Sequence, residues 1–249
     1  MTGEGWTQAV RRQLRLGRVL PLGGAADGAW VTESAARDAL RQMADRVAGV
    51  RLGTVRVASA DPDRAYVAAV PAPPSALPPG PLRITGEFAA VAGEPLPAAA
   101  DRLRAALSEA AADRLGLLVE EVDLKVVALL DEGTELVDEG RNPEDVRPEK
   151  DPQPRADDDR DGDEARAGRA ALAVPGVARL TGVLGGAVHI EQRPATDTLP
   201  RRHVRVELAV ELATDRDHRA LDVALAVRAA VGTALPDHPS VAVLVTEVE

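Results

Sequence analysis

One pattern occurs twice in this chain, and that repetition limits what it can fold into more than any other feature. Residues 203–249 read HVRVELAVELATDRDHRALDVALAVRAAVGTALPDHPSVAVLVTEVE. About 120 residues earlier stand PLRITGEFAAVAGEPLPAAADRLRAALSEAAADRLGLLVEEVDLKVVALLDE, residues 81–132. In the later stretch Val204, Val206, Leu208, Val210 and Leu212 alternate with Arg205, Glu207, Ala209 and Glu211. A period of two predicts a strand with one aliphatic face to bury and one charged face for solvent. Thr214 or Asp215 can cap the helix that follows, whose stripe is Ala220, Val223, Ala224, Val227, Val231 and Ala234. Pro236 and Pro239 close it, and residues 240–248 form a second β-rich run. Strand, crossover helix and strand predict a right-handed unit with its two strands parallel.

The earlier stretch obeys the same logic with other residues. Leu82, Ile84, Phe88 and Ala90 share one face, with Gly86 between them. Pro95 and Pro97 stand at a helix start, where a missing N–H costs nothing. The helix stripe is Ala99, Leu103, Ala106, Leu107 and Ala110, ended by Gly116. Val122, Leu124, Val126, Ala128 and Leu130 then alternate with Glu121, Asp123 and Lys125. Upstream, Val47-Ala48-Gly49-Val50 precedes one copy and Val174-Pro175-Gly176-Val177 the other. The expected fold class is α+β: two copies of a small mixed β-sheet unit with amphipathic helices packed on it.

Between the copies the composition changes. Residues 131–164 hold 15 acidic and 5 basic residues, a net of −10, which equals the net of all 249 residues. The remainder is therefore neutral, and the acidity belongs to a Pro/Asp/Glu-rich stretch too poor in aliphatic residues to offset its ordering entropy. An acidic disordered linker is expected there. The expected division is 1–18, an N-terminal basic amphipathic segment; 19–130, the first unit; 131–164, the linker; and 165–249, the second unit. Neutral units argue against phosphate-backbone binding, which needs a surplus of cations.

Within the first unit, residues 18–22 and 29–31 read as short strands around glycine turns. Thr32 or Ser34 caps a helix with stripe Ala36, Leu40, Met43 and Val47. Residues 52–57 and 65–70 read as a hairpin around Asp61-Pro62-Asp63, and residues 71–81 as an extended surface loop. The second unit opens with a helix over about 164–174 and a Gly-rich β region to Gln192. The core must be aliphatic, since Trp6, Trp30, Tyr66 and Phe88 are the only aromatic residues.

Candidate sites are few. At the N-terminus Trp6, Val10 and Leu14 share one side of a helix bearing Arg11, Arg12 and Arg15, a surface for docking on a partner, a membrane or the chain's own domain. With no apolar leader core and no run of roughly 20 apolar residues, neither a signal peptide nor a membrane span is expected. Cytoplasmic placement, peripheral to the cell membrane if the N-terminal segment docks there, follows as an expectation. Without cysteine there is no thiolate nucleophile, thiolate metal site or disulfide. Asp157, Asp159, Asp161 and Gly162 imitate the start of a calcium loop, but Gly168 stands where the bidentate glutamate belongs. Gly182 and Gly185 have the spacing of a nucleic-acid clamp without a basic residue, and so mark a bend. His189, His203, His218 and His238 show no ligand spacing and are expected on the surface, His203 on the exposed side of its strand. No catalytic, cofactor-binding or metal residues are identified.

The recurring order of helix, Pro-Gly-Val or Ala-Gly-Val, β-rich run, Val-rich strand, amphipathic helix and closing strand resembles the alkaline-shock family of bacterial envelope stress response proteins. The segments that carry it are Val174-Pro175-Gly176-Val177, 204–212, 220–234 and 241–248, and in the first copy Val47-Ala48-Gly49-Val50, 82–90, 99–115 and 122–130. Where the family has a tyrosine–glycine pair, this chain has Ala92-Gly93 and Thr214-Asp215. The resemblance implies a non-catalytic structural or interaction protein without cofactors, held near the membrane by a protein partner and able to self-associate. Two alternatives stand beside it: a nucleic-acid-binding pair of KH-like or ferredoxin-like modules, and an enzyme with an unrecognised carboxylate site.

Overall fold

The computed structural model describes residues 17–131, 162–193, 201–212 and 219–249. The chain is a mixed α+β protein with two sheets. Strands β1 (Val19–Leu22) and β2 (Ala29–Thr32) lead into helix α1 (Glu33–Ala44), then β3 (Val50–Ser59). A single 3-10 turn (Pro62–Arg64) precedes β4 (Leu82–Val91), helix α2 (Leu96–Glu109), a π turn (Ala110–Leu115) and β5 (Val119–Leu130). The second half holds α3 (Asp163–Leu172), β6 (Val177–Leu180), β7 (Val188–Arg193), β8 (Arg201–Val210), α4 (Ala220–Ala234) and β9 (Ser240–Val248).

The local signals act as elementary chemistry requires. Thr32 caps α1, its hydroxyl oxygen accepting from the Ala35 amide at 3.3 Å. Pro95 and Pro97 sit at the start of α2, and the π turn that extends it stops at Gly116 in the left-handed region. Helix α4 opens after Arg219, with Asp222 in its first turn accepting from the Arg219 guanidinium at 2.8 and 2.9 Å. Thr214 and Asp215, the caps suggested by sequence, lie outside the described residues.

The three-stranded sheet runs β3-β4-β5, with β3 antiparallel and β5 parallel to β4. In the other sheet β8 is flanked by β6 and β7, both antiparallel, and by β9, parallel to it. Both parallel pairs slip register at matching places, between Phe88 and Ala89 and between Leu208 and Ala209. Gly49 and Gly176, at φ 76° and 88°, turn the chain out of the preceding helix. Their carbonyls accept from the Val91 and Glu211 amides, each at 2.9 Å. One continuous apolar core joins the sheets: α1 touches β2 and β9 of one and β3 of the other.

Four expectations need correction. The β1–β2 hairpin, expected in the first unit, belongs to the sheet of the second: β2 pairs in parallel with β9, Trp30 opposite Leu244. The hairpin expected from 52–57 and 65–70 is absent. Asp61 caps only the 3-10 turn, and β3 instead pairs with β4 after an excursion closed by Ala60 N–H to the Pro81 carbonyl at 2.8 Å. Residues 71–81, expected as an extended surface loop, pack together with 65–70 across the outer face of the larger sheet. Val70 there joins Val19, Trp30, Ala242 and Leu244 in a second apolar cluster, tied by Leu77 N–H to the Val19 carbonyl at 2.8 Å. The charged face of β8 is also covered: His203 is 5% exposed and Glu207 fully buried. Smaller adjustments are that the helix expected at 164–174 is α3 (Asp163–Leu172) and that α3 begins within the stretch assigned to the linker.

Candidate functional site

Apart from Tyr66 (59%) and Val67 (94%) in the excursion before β4, the exposed apolar surface gathers along β5. Of six large apolar side chains exposed among the described residues, Val127 (52%) and Leu129 (62%) are on β5, and Leu118 (51%) directly precedes it. β5 ends the order β3-β4-β5, so among the described residues only one of its edges is bonded to a strand. A strand edge presents unpaired N–H and C=O groups that template pairing with another strand. The corresponding strand of the other sheet, β9, is bonded on both sides, by β8 and by β2 at Val243, Leu244 and Val245. On β5 the matching positions, placed by the shared register slip, are Leu124, Lys125 and Val126. One protection is visible: Arg104 of α2 donates from Nε to the Val122 carbonyl at 3.2 Å.

The solvent face of this sheet carries charge. Arg83 of β4 contacts Glu121 and reaches Asp123 at 3.6 Å, while Lys125 stands 4.0 Å from Glu87. Arg64 meets Glu120 at 3.0 Å. These are exposed pairs of little individual worth. They keep the face soluble and leave the edge itself open.

The one fully buried carboxylate among the described residues has a different task. Between β6 and β7 the chain leaves the ladder over residues 181–187. Glu207 of β8 holds both ends of that excursion, accepting from Thr181 N–H at 2.9 Å and donating its own N–H to the Ala187 carbonyl at 2.8 Å. Its side chain accepts from Leu184 N–H at 3.0 Å and from Arg205 Nε at 3.2 Å. Burial pushes the Glu207 carboxyl above its ordinary range, opposed by the loop amides and Arg205. Its hydrogen bonds are spent on anchoring a loop. Beside it, His203 bonds Ser240 Oγ at 2.8 Å, and burial lowers its pKa.

A shallow groove of about 380 Å³ is lined by Ala48, Gly49, Ala92, Gly93, Glu94 and Arg102. Arg102 crosses it, donating to Glu94 and, at 3.1 Å, to the Ala48 carbonyl, and this bonding holds the Glu94 carboxyl below its usual range. Among the described residues no group of three or more His, Asp or Glu side chains is placed to hold a metal, and no helix is long and apolar enough to cross a membrane. No family model, curated protein or solved structure matches the chain.

The structure does not bring the sequence candidates together. Trp6, Val10, Arg11, Arg12, Leu14 and Arg15 lie outside the described residues, as do Asp157, Asp159, Asp161 and His218. Gly182 and Gly185 close a turn, with Gly185 N–H 3.3 Å from the Gly182 carbonyl. His189 and His238 are exposed, whereas His203 is not. The β5 edge was missed by sequence reasoning, although a signal was present. Val126-Val127-Ala128-Leu129-Leu130 is apolar at both parities, and a one-faced strand should alternate.

Proposed function

We propose that the chain is a non-catalytic structural or interaction protein of the envelope stress response kind, built from a duplicated α+β unit and working in the cytoplasm through its strand and helix surfaces. Its partner is a protein, one that holds it near the cell membrane. The observation that carries this reading is the asymmetry between β5 and β9: equivalent positions are sealed by β2 on one sheet and left open, with exposed Leu118, Val127 and Leu129, on the other. An open strand edge gives affinity through main-chain hydrogen bonds and specificity through flanking side chains.

Cell fractionation combined with photo-crosslinking from residue 127 tests the proposal. It predicts cross-links to protein in the envelope fraction that a Val127→Glu, Leu129→Glu double variant loses while remaining folded. A chain found in the soluble fraction without cross-linked protein at β5 would refute it.

A further inference from the structure

We infer that the β5 edge pairs with the β5 edge of a second copy of this chain, antiparallel about a two-fold axis at Leu124, so that two three-stranded sheets join. The inference rests on the interaction reading above and names the partner for that edge. Three observations on β5 favour a copy of itself. The first is the place: the axis falls within the segment Leu124–Val126 that corresponds to the part of β9 occupied by β2.

Charge is the second. An antiparallel pair centred on Leu124 sets Asp123 opposite the partner's Lys125, and the symmetry makes this contact twice. Lys125 is the only lysine among the described residues, and it is 77% exposed. Asp123 is 63% exposed, and its present contact with Arg83 at 3.6 Å leaves it free to accept a facing cation. Opposite charges directly across a strand pair stabilise it, and like charges there disfavour it.

The third is the distribution of apolar surface. Leu118 lies at one end of the strand, and Val127 and Leu129 towards the other. Antiparallel pairing brings these two ends together, on either side of the regular ladder 121–126. A parallel partner would leave like ends side by side and bring no acid opposite Lys125. Pairing must displace the Arg104 contact to the Val122 carbonyl.

Sedimentation velocity of the full chain over a concentration series supplies the test. The expected result is a reversible monomer–dimer equilibrium. Asp123→Lys and Lys125→Asp should each weaken dimerisation roughly tenfold, since either sets like charges face to face twice. The double variant Asp123→Lys, Lys125→Asp should return to within about twofold of the parent, because it restores the pairing with its sign reversed. Leu124→Cys, the sole thiol of its chain, should form a disulfide-linked dimer on oxidation, whereas Leu129→Cys, away from the axis, should not. A chain monomeric at every concentration overturns the inference. So does a dimer that neither single reversal weakens, or a double variant no tighter than the singles. A monomeric chain that still cross-links to a different protein from residue 127 refutes the self-pairing and leaves the interaction reading intact. A monomer without cross-links removes both.

Discussion

Glu207 shows how a buried charge can be read from its partners. Alternation along β8 places it on the polar face, and that placement is correct. What sequence periodicity does not reveal is the cover, supplied by the loop 181–187, whose Leu184 N–H meets the carboxylate. Its folded pKa is raised, so its contribution to stability is fully present below the unfolded value and is lost as pH climbs through the folded one. Glu207→Gln removes that titration. In denaturant melts from about pH 4 to 8, the variant should gain on the parent as pH rises, and a pH-independent difference would contradict the assignment. Gly116 gives a second residue-scale prediction. At φ 84°, a Cβ there would stand 2.5 Å from the Leu221 Cβ of α4, and neither atom is the free end of a side chain. Gly116→Ala should cost about 1–3 kcal/mol from backbone strain alone, with the contact adding to it, read as a lowered denaturation midpoint.

Elements were legible in the sequence where their period was clean. The β4–α2–β5 and β8–α4–β9 segments, the Thr32 cap and the proline start of α2 all carry local signals, and the structure forms them. The hairpin at 52–57 and 65–70 failed because turn chemistry at Asp61-Pro62-Asp63 is satisfied by one 3-10 turn. The prolines at 71, 73, 74, 78, 79 and 81, which lack N–H groups, could not have continued a ladder. The open edge of β5 was hidden for another reason: the apolar run 126–130 marks surface that needs cover, but which strand ends a sheet is decided by pairing order. Arg104 offers a test at this scale. If its bond to the Val122 carbonyl guards the edge, Arg104→Ala should tighten self-association, by roughly twofold to fivefold for one modest hydrogen bond, in the same sedimentation series. Unchanged association would mean that this guanidinium does not guard the edge.

At the scale of the whole molecule, the two halves are joined by an exchange the sequence could not announce. The hairpin before α1 closes the far sheet: β2 bonds β9 more than 200 residues away, and Arg228 of α4 donates to the Ala26 and Asp27 carbonyls at 2.6 and 2.9 Å. One sheet thereby gains two strands, and among the described residues the other keeps an unpaired edge at β5. Hydrogen exchange read at single amides of β5 and β9 in dilute full-length chain measures that difference directly. Slow exchange at Val243–Val245 of β9 beside fast exchange at alternate β5 amides, slowed on raising the protein concentration, is the predicted result. If β5 in the dilute chain is as uniformly protected as β9, the edge is already covered, and both the interaction role and the self-pairing fail.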